Sequence, residues 1–263
     1  MSASLLFLGT GAGCGVPAFF CDCVACREAS MDPRSRRSCC GLLIQNEMNV
    51  LIDTPPDLRS QLVREKINKI DQVVFTHWHY DHIGGLGELE FYQRLKNQNP
   101  IPCSLSEETA DFINNSFGFM TDCLEFQTLS PMDQFKIDGF TYTALPAQHA
   151  PGTYGYLIES REGKRTAYFP DTGPFLPEVK DRLQNVDNLI LDATFWGRNW
   201  TPEVHNSLQI AVETALQLNA KKVFFTHLSM HYDQPVTNLE LETYLEEFGS
   251  NLHLAYDGLR LNL

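Results

Sequence analysis

Four side chains able to bind a metal stand within six consecutive residues of this sequence, directly after a short apolar run. The stretch FTHWHYDHIGG carries His77, His79, Asp81 and His82 behind the apolar residues 73–75. Side chains alternate along an extended segment, so His77 and His79 are expected to point the same way. The chain is then expected to turn, with Asp81 at a helix N-cap and His82 in the first turn. One loop leaving a buried strand could thereby supply ligands to two adjacent metal ions.

Three further side chains of ligand type follow apolar strands elsewhere in the chain. His149 comes after TYTALPAQ, Asp171 ends AYFPD, and His227 follows KVFFT. Strand ends that share one edge of a sheet are where sites are commonly built on a rigid scaffold. Clustering so many titratable groups without a bound ion would cost free energy. The pattern therefore predicts a metal centre of imidazoles and carboxylates, a donor set that suits Zn, Mn or Fe.

A second cluster, CDCVAC, brings three thiols together at Cys21, Cys23 and Cys26. Thiols this close in sequence do not easily form disulfides with one another, whereas three soft ligands in one loop suit tetrahedral zinc. A loop of free thiols with redox chemistry is the alternative. The remaining cysteines are expected to be small buried hydrophobic residues: Cys14, Cys39, Cys40, Cys103 and Cys123.

The balance of charge limits the classes of partner. The chain has 263 residues, with 33 acidic against 20 basic side chains and a formal net charge of −13. This disfavours a general nucleic-acid binder, which needs a basic face, but it allows a small anionic substrate held by metals. The basic cluster Arg34, Arg36 and Arg37 is expected to be a solvated loop.

Hydropathy and cysteine usage indicate the compartment. No apolar run reaches the ~18 residues that a membrane helix needs. The N-terminal segment lacks the basic start of a secretory signal. A cytoplasmic protein with reduced thiols is therefore expected.

The spacing of apolar residues and turn signals predicts strands that alternate with helices, repeated once. Strands are expected at 5–8, 41–45, 49–52, 72–75, 101–105, 135–137, 140–145, 154–159, 165–169, 189–191 and 223–225. Helices are expected at 58–65, 82–95, 107–115, 207–218 and 239–248. We expect one domain of residues 1–263 with two similar halves, about 1–128 and 129–263.

HWHYDH and the three later ligand-type residues resemble the metallo-β-lactamase superfamily, over nearly the whole chain. GTGAG near the start and LIDT at 51–54 also match. The resemblance implies an α/β fold, a four-layer αββα sandwich with a two-metal site between its sheets, and a supporting role for Asp53 behind the ligands. By the family pattern, His77, His79 and His149 hold one metal, Asp81, His82 and His227 hold the other, and Asp171 bridges them. Two such cations lower the pKa of a shared water and stabilise charge on a transferring phosphoryl group.

CxCxxC after the first strand, followed by HxHxDH, resembles more narrowly the PhnP-type branch, which contains cyclic phosphodiesterases. GYLI, PDTG and THLSMHYD are further matches. In that branch the fourth ligand of a structural zinc is a histidine three residues after the last active-site histidine. Here Met230 holds that position and His231 follows. We interpret His231 as the ligand because a thioether binds zinc poorly; a zinc that is absent or otherwise completed is the alternative.

The branch also matches His205 in PEVHNSLQIA. The match implies that His205 donates a proton to the leaving alkoxide or steadies the phosphoryl oxygens. A residue that merely packs at a helix N-terminus is the alternative. His253 matches nothing and is expected to be an ordinary strand residue.

Together these features predict a dinuclear metal-dependent phosphodiesterase acting on a small, cyclic phosphodiester such as a ribose 1,2-cyclic phosphate. The expected cofactors are two divalent metals (Mn or Zn) at the active site and one structural Zn. The nucleophile would be a hydroxide shared by the metals, with His205 and Asp81 as catalytic residues. A homodimer is implied by the resemblance. The alternatives are a tRNA 3′-processing endonuclease, a redox relative of the cofactor-biosynthesis protein PqqB, and a metal-bound module without turnover.

Overall fold

The computed structural model of the protein describes residues 3–232 and 234–263, which form fourteen strands and eight α-helices. The strands are β1 (Ser4–Gly9), β2 (Gly41–Gln45), β3 (Asn49–Ile52), β4 (Gln72–Val74), β5 (Ile101–Ser106), β6 (Leu124–Leu129), β7 (Gln134–Ile137), β8 (Phe140–Pro146), β9 (Tyr154–Glu159), β10 (Arg165–Phe169), β11 (Asn188–Asp192), β12 (Lys222–Thr226), β13 (Leu252–Leu254) and β14 (Arg260–Asn262). The helices are α1 (Val24–Met31), α2 (Leu58–Arg64), α3 (Tyr80–Ile83), α4 (Gly87–Tyr92), α5 (Glu107–Ser116), α6 (Pro177–Arg182), α7 (Leu208–Leu218) and α8 (Asn238–Glu246). Short 3-10 turns lie at Pro33–Ser35 and Gly118–Cys123, and a π turn at Gln93–Asn97 extends α4.

The strands make two seven-stranded sheets, ordered β14-β1-β2-β3-β4-β5-β6 and β13-β12-β11-β10-β9-β8-β7. A central apolar cluster joins the facing sides of the two sheets, and the rings of Phe7 and Phe224 meet across it at 6.0 Å. Two outer clusters pack α2 to α5 on the first sheet and α1, α6, α7 and α8 on the second. The predicted four-layer αββα sandwich is confirmed.

The apolar runs of the sequence follow from this layering, because each sheet is buried on both faces. In β1, Leu5 and Phe7 face the central cluster, whereas Leu6 and Leu8 face the outer cluster under the helices. The strand therefore reads as an unbroken apolar stretch instead of an alternating one.

Parallel pairing determines where the functional side chains gather. Strands β3, β4, β5 and β6 are parallel to one another, and so are β10, β11, β12 and β13. Their carboxyl ends lead into the loops that carry the predicted ligands. The chain passes from the first sheet to the second after Leu129, and β14 then returns to pair with β1.

The helix expected at 82–95 is interrupted, which corrects the prediction. Helix α3 ends at Ile83 and α4 begins at Gly87. Between them the amide of Gly85 donates to the carbonyl of Thr54 at 2.8 Å. A Cβ at Gly85 would lie 2.1 Å from the carbonyl oxygen of Pro55. The segment thus packs directly on the loop leaving β3, and only glycine allows this approach.

Two further expectations from the sequence are wrong. Arg37 does not lie in a solvated loop: it is buried and donates to the carbonyl of Ala255 and to the side chains of Thr10 and Asn238. Buried acceptors replace the water that its guanidinium would otherwise bind. Cys14 is exposed, whereas the other four dispersed cysteines are buried as expected. None of the helices in the described residues is long and apolar enough to cross a membrane.

Candidate metal centre

The carboxyl ends of the strands bring the predicted ligand atoms into overlapping groups at one side of the sandwich. Within each group the atoms lie within 4.8 Å of one another, and the groups are His77 with His79 and His149, His77 with His82 and Asp171, and Asp81 with His82 and His227. Asp171 lies between the two trios of the predicted ligand set. Its Oδ2 is 3.7 Å from His77 Nε2 of one trio and 2.6 Å from His82 Nε2 of the other, and its Oδ1 is 3.2 Å from His227 Nε2.

The ligand atoms fit bound cations because several have no hydrogen-bond partner in the described part of the chain. These buried atoms are Nε2 of His77, Nε2 of His82, and both carboxylate oxygens of Asp171. The short approach of His82 to Asp171 lacks the orientation of a hydrogen bond. Leaving such an atom unsatisfied costs about 1–3 kcal/mol. Divalent ions would supply the missing partners to this set of nitrogen and oxygen donors.

Carboxylates dominate the electrostatics of the centre. Burial disfavours a charged His82, but Asp171, Asp81 and Asp53 outweigh it and raise the pKa of His82 well above its usual value. Burial together with nearby His82 lowers the pKa of His77 well below its usual value. Against its own burial, the pKa of Asp171 is held well below its usual range by His227 and His82. The centre therefore favours positive charge between carboxylates, which divalent cations would provide.

Asp53, just beyond β3, lies fully buried behind the ligands and orients two of them. It accepts hydrogen bonds from His82 Nδ1 at 2.8 Å and from the amide and hydroxyl of Thr76 at 2.7 and 2.8 Å. With its proton donated to Asp53, Thr76 Oγ1 is free to accept from His77 Nδ1 at 3.0 Å. In the neutral form of both rings, these bonds assign the Nδ1–H tautomer to His77 and His82, so that each Nε2 lone pair would be directed at the centre.

Asp192, at the end of β11, makes the same arrangement in the second sheet, and the sequence analysis did not predict it. Its Oδ1 accepts from the amide and hydroxyl of Thr194 at 2.8 and 2.6 Å, and Thr194 Oγ1 lies 2.8 Å from His227 Nδ1. Its Oδ2 lies 2.8 Å from His205 Nδ1 and accepts from the amide of Thr172 at 3.0 Å. The available signal was LILDAT, an apolar strand ending in aspartate like LIDT.

The contact with Asp192 positions His205 beside the candidate metal centre. Burial would lower the pKa of His205, but the carboxylate of Asp192, helped by Asp171, raises it to about 9. Its ring lies 4.7 Å from that of His149 and 5.5 Å from that of His227. His205 thus stands beside the predicted ligands with its Nδ1 already engaged.

The short helix α3 begins earlier than predicted, so the assignment of Asp81 as its N-cap is wrong. His79 is the N-cap, with extended backbone angles, and its carbonyl accepts from the amides of His82 and Ile83 at 2.9 and 3.1 Å. Asp81 instead lies in the first turn. This places Asp81 and His82 on one turn, while His79 Nδ1 reaches to 2.9 Å from Nε2 of His149.

Two strand exits have strained backbone. Asp53 and His227 adopt left-handed conformations, with φ of +65° and +59°. Such conformations cost about 1–3 kcal/mol for residues other than glycine and persist where the surroundings impose them. The residue after His227 is held in place, because the amide of Leu228 donates a hydrogen bond to the carbonyl of Thr10 at 3.0 Å. In each sheet, one residue that follows a strand therefore makes a sharp backbone turn beside the candidate metal centre.

A cavity of about 220 Å³ opens on this centre. Its lining includes the candidate ligands His79, Asp81, His149, Asp171 and His227, together with His205 and the aromatic residues Phe195 and Tyr232. A small ligand could therefore contact the candidate metal ligands and His205 at the same time.

The three thiols of CDCVAC form a separate cluster around the start of α1. Their sulfur atoms lie within 4.8 Å of one another. His231 Nδ1 lies 3.4 Å from Cys26 Sγ. Met230 instead is buried in the core, where its sulfur accepts a hydrogen bond from Arg37 Nε at 3.0 Å. The side chain beside the thiols is thus the histidine.

Comparison with known proteins gives one matching family model and several similar solved structures. The family model described as "Beta-lactamase superfamily domain" matches residues 48–228. A diphosphatase from the PhnP family has a solved structure that is 32% identical, with a TM-score of 0.86 over 100% of this chain and 98% of that one. Zn²⁺-bound PqqB from Methylobacterium extorquens is 20% identical, with a TM-score of 0.82 over 99% and 100% of the two chains.

Curated relatives are more distant in sequence. Octanoyltransferase of Porphyromonas gingivalis is 26% identical over 97% of this chain, which spans only 50% of that protein. Ribonuclease Z of Listeria innocua is 25% identical, and the match covers 96% of this chain and 97% of that protein.

Proposed function

Because the chain belongs to the metallo-β-lactamase superfamily and, within it, to the PhnP family, we propose that it hydrolyses a small, cyclic phosphodiester such as a ribose 1,2-cyclic phosphate. The observation that carries the proposal is the position of Asp171: its two oxygens have no hydrogen-bond partner among the described residues and approach His77 of one trio and His82 and His227 of the other. A single carboxylate in that position suits a pair of divalent ions more than a single ion.

In this proposal each trio holds one ion, either Zn or Mn. His77, His79 and His149 would hold the first, Asp81, His82 and His227 would hold the second, and Asp171 would be shared by both. The bound metals would supply an activated water and neutralise charge on the phosphoryl oxygens. Asp81 also lines the cavity, so its carboxylate is proposed to contact the reacting groups in addition to binding metal.

His205 is proposed to protonate the leaving oxygen. Asp192 holds its Nδ1 at 2.8 Å, which fixes the ring and leaves Nε2 to serve the substrate. His205 also lines the cavity, so the leaving oxygen of a bound diester can come within its reach. A donor held in place before the substrate arrives loses less entropy in the reaction.

The thiol cluster is proposed to hold a structural zinc through Cys21, Cys23, Cys26 and His231. The carrying contact is that of His231 with Cys26, which places a nitrogen donor beside three thiols. Three sulfurs and one imidazole form a closed tetrahedral set, as in structural zinc sites.

Ribonuclease activity is the second candidate, because the match to ribonuclease Z of Listeria innocua spans nearly the whole of both chains. The net charge of −13 opposes it, since gripping RNA requires a basic surface. Cleavage of a tRNA precursor separates the two functions. The likeness to PqqB, at 20% identity, supports the fold alone.

The test combines elemental analysis of the purified protein with a panel of 2′,3′-, 3′,5′- and ribose 1,2-cyclic phosphates. We expect about three metal ions per chain and hydrolysis confined to cyclic esters. His205→Ala should keep its metals and lose about 10²- to 10⁴-fold in turnover. The matched control is His253→Ala, because His253 lies on β13 against Phe224, outside the centre. Precursor cleavage without hydrolysis of any cyclic ester would instead support the ribonuclease.

A further inference from the structure

A short segment, residues 228–230, connects the candidate metal centre to the thiol cluster. It follows His227, a candidate ligand of the centre, and precedes His231, whose Nδ1 lies 3.4 Å from Cys26 Sγ. Within the segment, Met230 is only 4% exposed and packs in the outer cluster of the second sheet. Because Met230 occupies the core, the next residue is the one beside the thiols. The contact that holds Met230 therefore decides which side chain the thiols meet.

Arg37 holds this segment from inside the core. Its Nε donates to the sulfur of Met230 at 3.0 Å, and its Nη1 donates to Thr10 Oγ1 at 3.1 Å. The carbonyl of Thr10 in turn accepts from the amide of Leu228 at 3.0 Å. A guanidinium is planar and carries its donors in a rigid fork, so the positions of its partners are fixed relative to one another. Residues 228–230 are thus held by Arg37 directly at one end and through Thr10 at the other.

Arg37 is also bonded to the elements that carry the thiols. Its amide and carbonyl pair with the carbonyl and amide of Val16, both at 2.8 Å, on the chain that leads into the thiol loop. Its Nη2 donates to Asn238 Oδ1 at 2.8 Å, and the amide of Asn238 donates to Glu28 Oε2 at 3.0 Å. Glu28 lies on α1, the helix that also carries Cys26. One residue therefore relates the thiols to the segment that brings the histidine.

The surroundings of Arg37 explain why its donors matter more than its bulk. The residue is 2% exposed, and the acceptors of its side chain in the described part of the chain are neutral: the sulfur of Met230, the hydroxyl of Thr10, the amide oxygen of Asn238 and the carbonyl of Ala255. Burying a charge without a charged partner costs free energy. An apolar side chain of similar volume would fill the same space without that cost. What the guanidinium adds is direction, since each of its nitrogens donates to a different part of the chain.

We propose that Arg37 is the positioning residue of the thiol cluster: it keeps Met230 in the core, so that His231 meets the three thiols as the fourth zinc ligand. The inference rests on the zinc site of the proposed function and deepens it, because it names the residue that decides between Met230 and His231. Arg37 supplies no ligand atom of its own. When its donors are lost, residues 228–230 gain alternative positions, and His231 lies beside the thiols for only part of the time. The affinity for zinc falls by the same fraction.

A double-mutant cycle on Arg37 and His231 tests the proposal, with Co²⁺ as the probe metal. Co²⁺ bound to thiolates absorbs in the near ultraviolet by charge transfer, so competition with a chelator reports the affinity of the thiol cluster without any turnover. Arg37→Lys keeps the charge but loses the fork, and it should weaken Co²⁺ binding there by about 10- to 100-fold. In a His231→Ala background the same change should weaken binding no further, because the side chain through which Arg37 acts is absent. Arg36→Lys is the matched control and should bind as the parent does, since Arg36 is exposed.

A second pair of variants decides the matter if Arg37→Lys does not fold. Met230→Leu fills the same space in the core but removes the sulfur that Arg37 Nε binds. It should keep its zinc and weaken Co²⁺ binding by about two- to tenfold, and this loss too should vanish in the His231→Ala background.

The cycle also separates a failure of this inference from a failure of the proposed function. Equal losses in both backgrounds would mean that Arg37 supports the fold as a whole, and they would overturn the proposal. Parent affinity in Arg37→Lys would do the same. A parent protein without the charge-transfer band would refute the zinc site itself and the proposal with it, whereas hydrolysis of cyclic esters is measured separately and decides only the proposed reaction.

Discussion

Replacing Asp192 by asparagine tests whether a buried carboxylate sets the state of the proposed proton donor. Four donors converge on Asp192: the amides of Thr172 and Thr194, the hydroxyl of Thr194, and Nδ1 of His205. An asparagine of the same size has one acceptor oxygen and one NH₂ donor. If its oxygen stays with Thr194, its NH₂ faces His205, which must then change tautomer or lose its partner.

The magnitude follows from the bond that is lost. A hydrogen bond to a charged group contributes about 1.5–3 kcal/mol, and each 1.36 kcal/mol changes a rate about tenfold. We therefore expect Asp192→Asn to lower turnover by about 10- to 150-fold. Because Asp192 is fully buried, the free energy of unfolding should fall as well, so activity is compared far below the melting temperature.

The assay uses two diesters that differ in the basicity of the leaving oxygen. An alkyl leaving group requires a proton in the transition state, whereas a p-nitrophenyl group departs without one. Asp192→Asn should therefore lose turnover on the alkyl ester and nearly match the parent on the aryl ester. Asp187→Asn is the control, because Asp187 precedes the other end of β11 and binds Lys221 and Arg165 there.

The two-ester comparison can also refute the reasoning. Equal losses on both esters, together with a fall in metal content, would mean that Asp192 acts through Thr194 and His227 and not through His205. Parent turnover on both esters would show that the contact with His205 has no part in the reaction.

The remaining predictions concern the metals and the core. Asp53→Asn should weaken metal binding at the centre by about 10- to 100-fold, because one of the two acceptor oxygens that serve His82 and Thr76 becomes an NH₂ donor; competition with a chromophoric chelator measures this, and parent affinity would contradict it. His231→Ala should leave roughly one zinc ion fewer per chain by elemental analysis, while Met230→Leu keeps the full complement. A zinc lost with Met230→Leu alone would reverse the assignment of the fourth ligand. Met230→Ala should lower the free energy of unfolding by about 2–5 kcal/mol, because the side chain is only 4% exposed, and a denaturant titration checks it.

Local signals explain which elements of the fold could be predicted. Asp138-Gly139, between the strands expected at 135–137 and 140–145, is a hairpin signal, and both residues have positive φ, +52° and +84°, as a type I′ turn requires. Helix α1 was not predicted, because CDCVACREASM has only a weak apolar stripe and much of its buried surface is small residues such as Ala25 and Ala29. Strand β14 pairs with β1 at the other end of the chain, a contact that no local pattern reports.

The candidate site could be predicted at residues whose side chains can bind a metal, but not at residues that only hold those side chains in place. Histidine and aspartate at strand ends are conspicuous, so the groups around Asp171 could be expected to meet. Thr76 and Thr194 could not be singled out, because a threonine after a strand has many ordinary roles, and only the folded geometry shows each relaying a carboxylate to an imidazole. Asp192 is an intermediate case, because it is an aspartate at a strand end, yet it only holds other side chains in place.

The pairing of β14 with β1 has a consequence for how the protein is made. Residues 260–262 are synthesised long after residues 4–9, yet they pair with them and complete the edge of that sheet. The candidate ligands are divided in the same way, with His77 on the early half and His227 on the late half. A nascent chain therefore has an incomplete set of candidate ligands until the second sheet has been synthesised and has packed on the first.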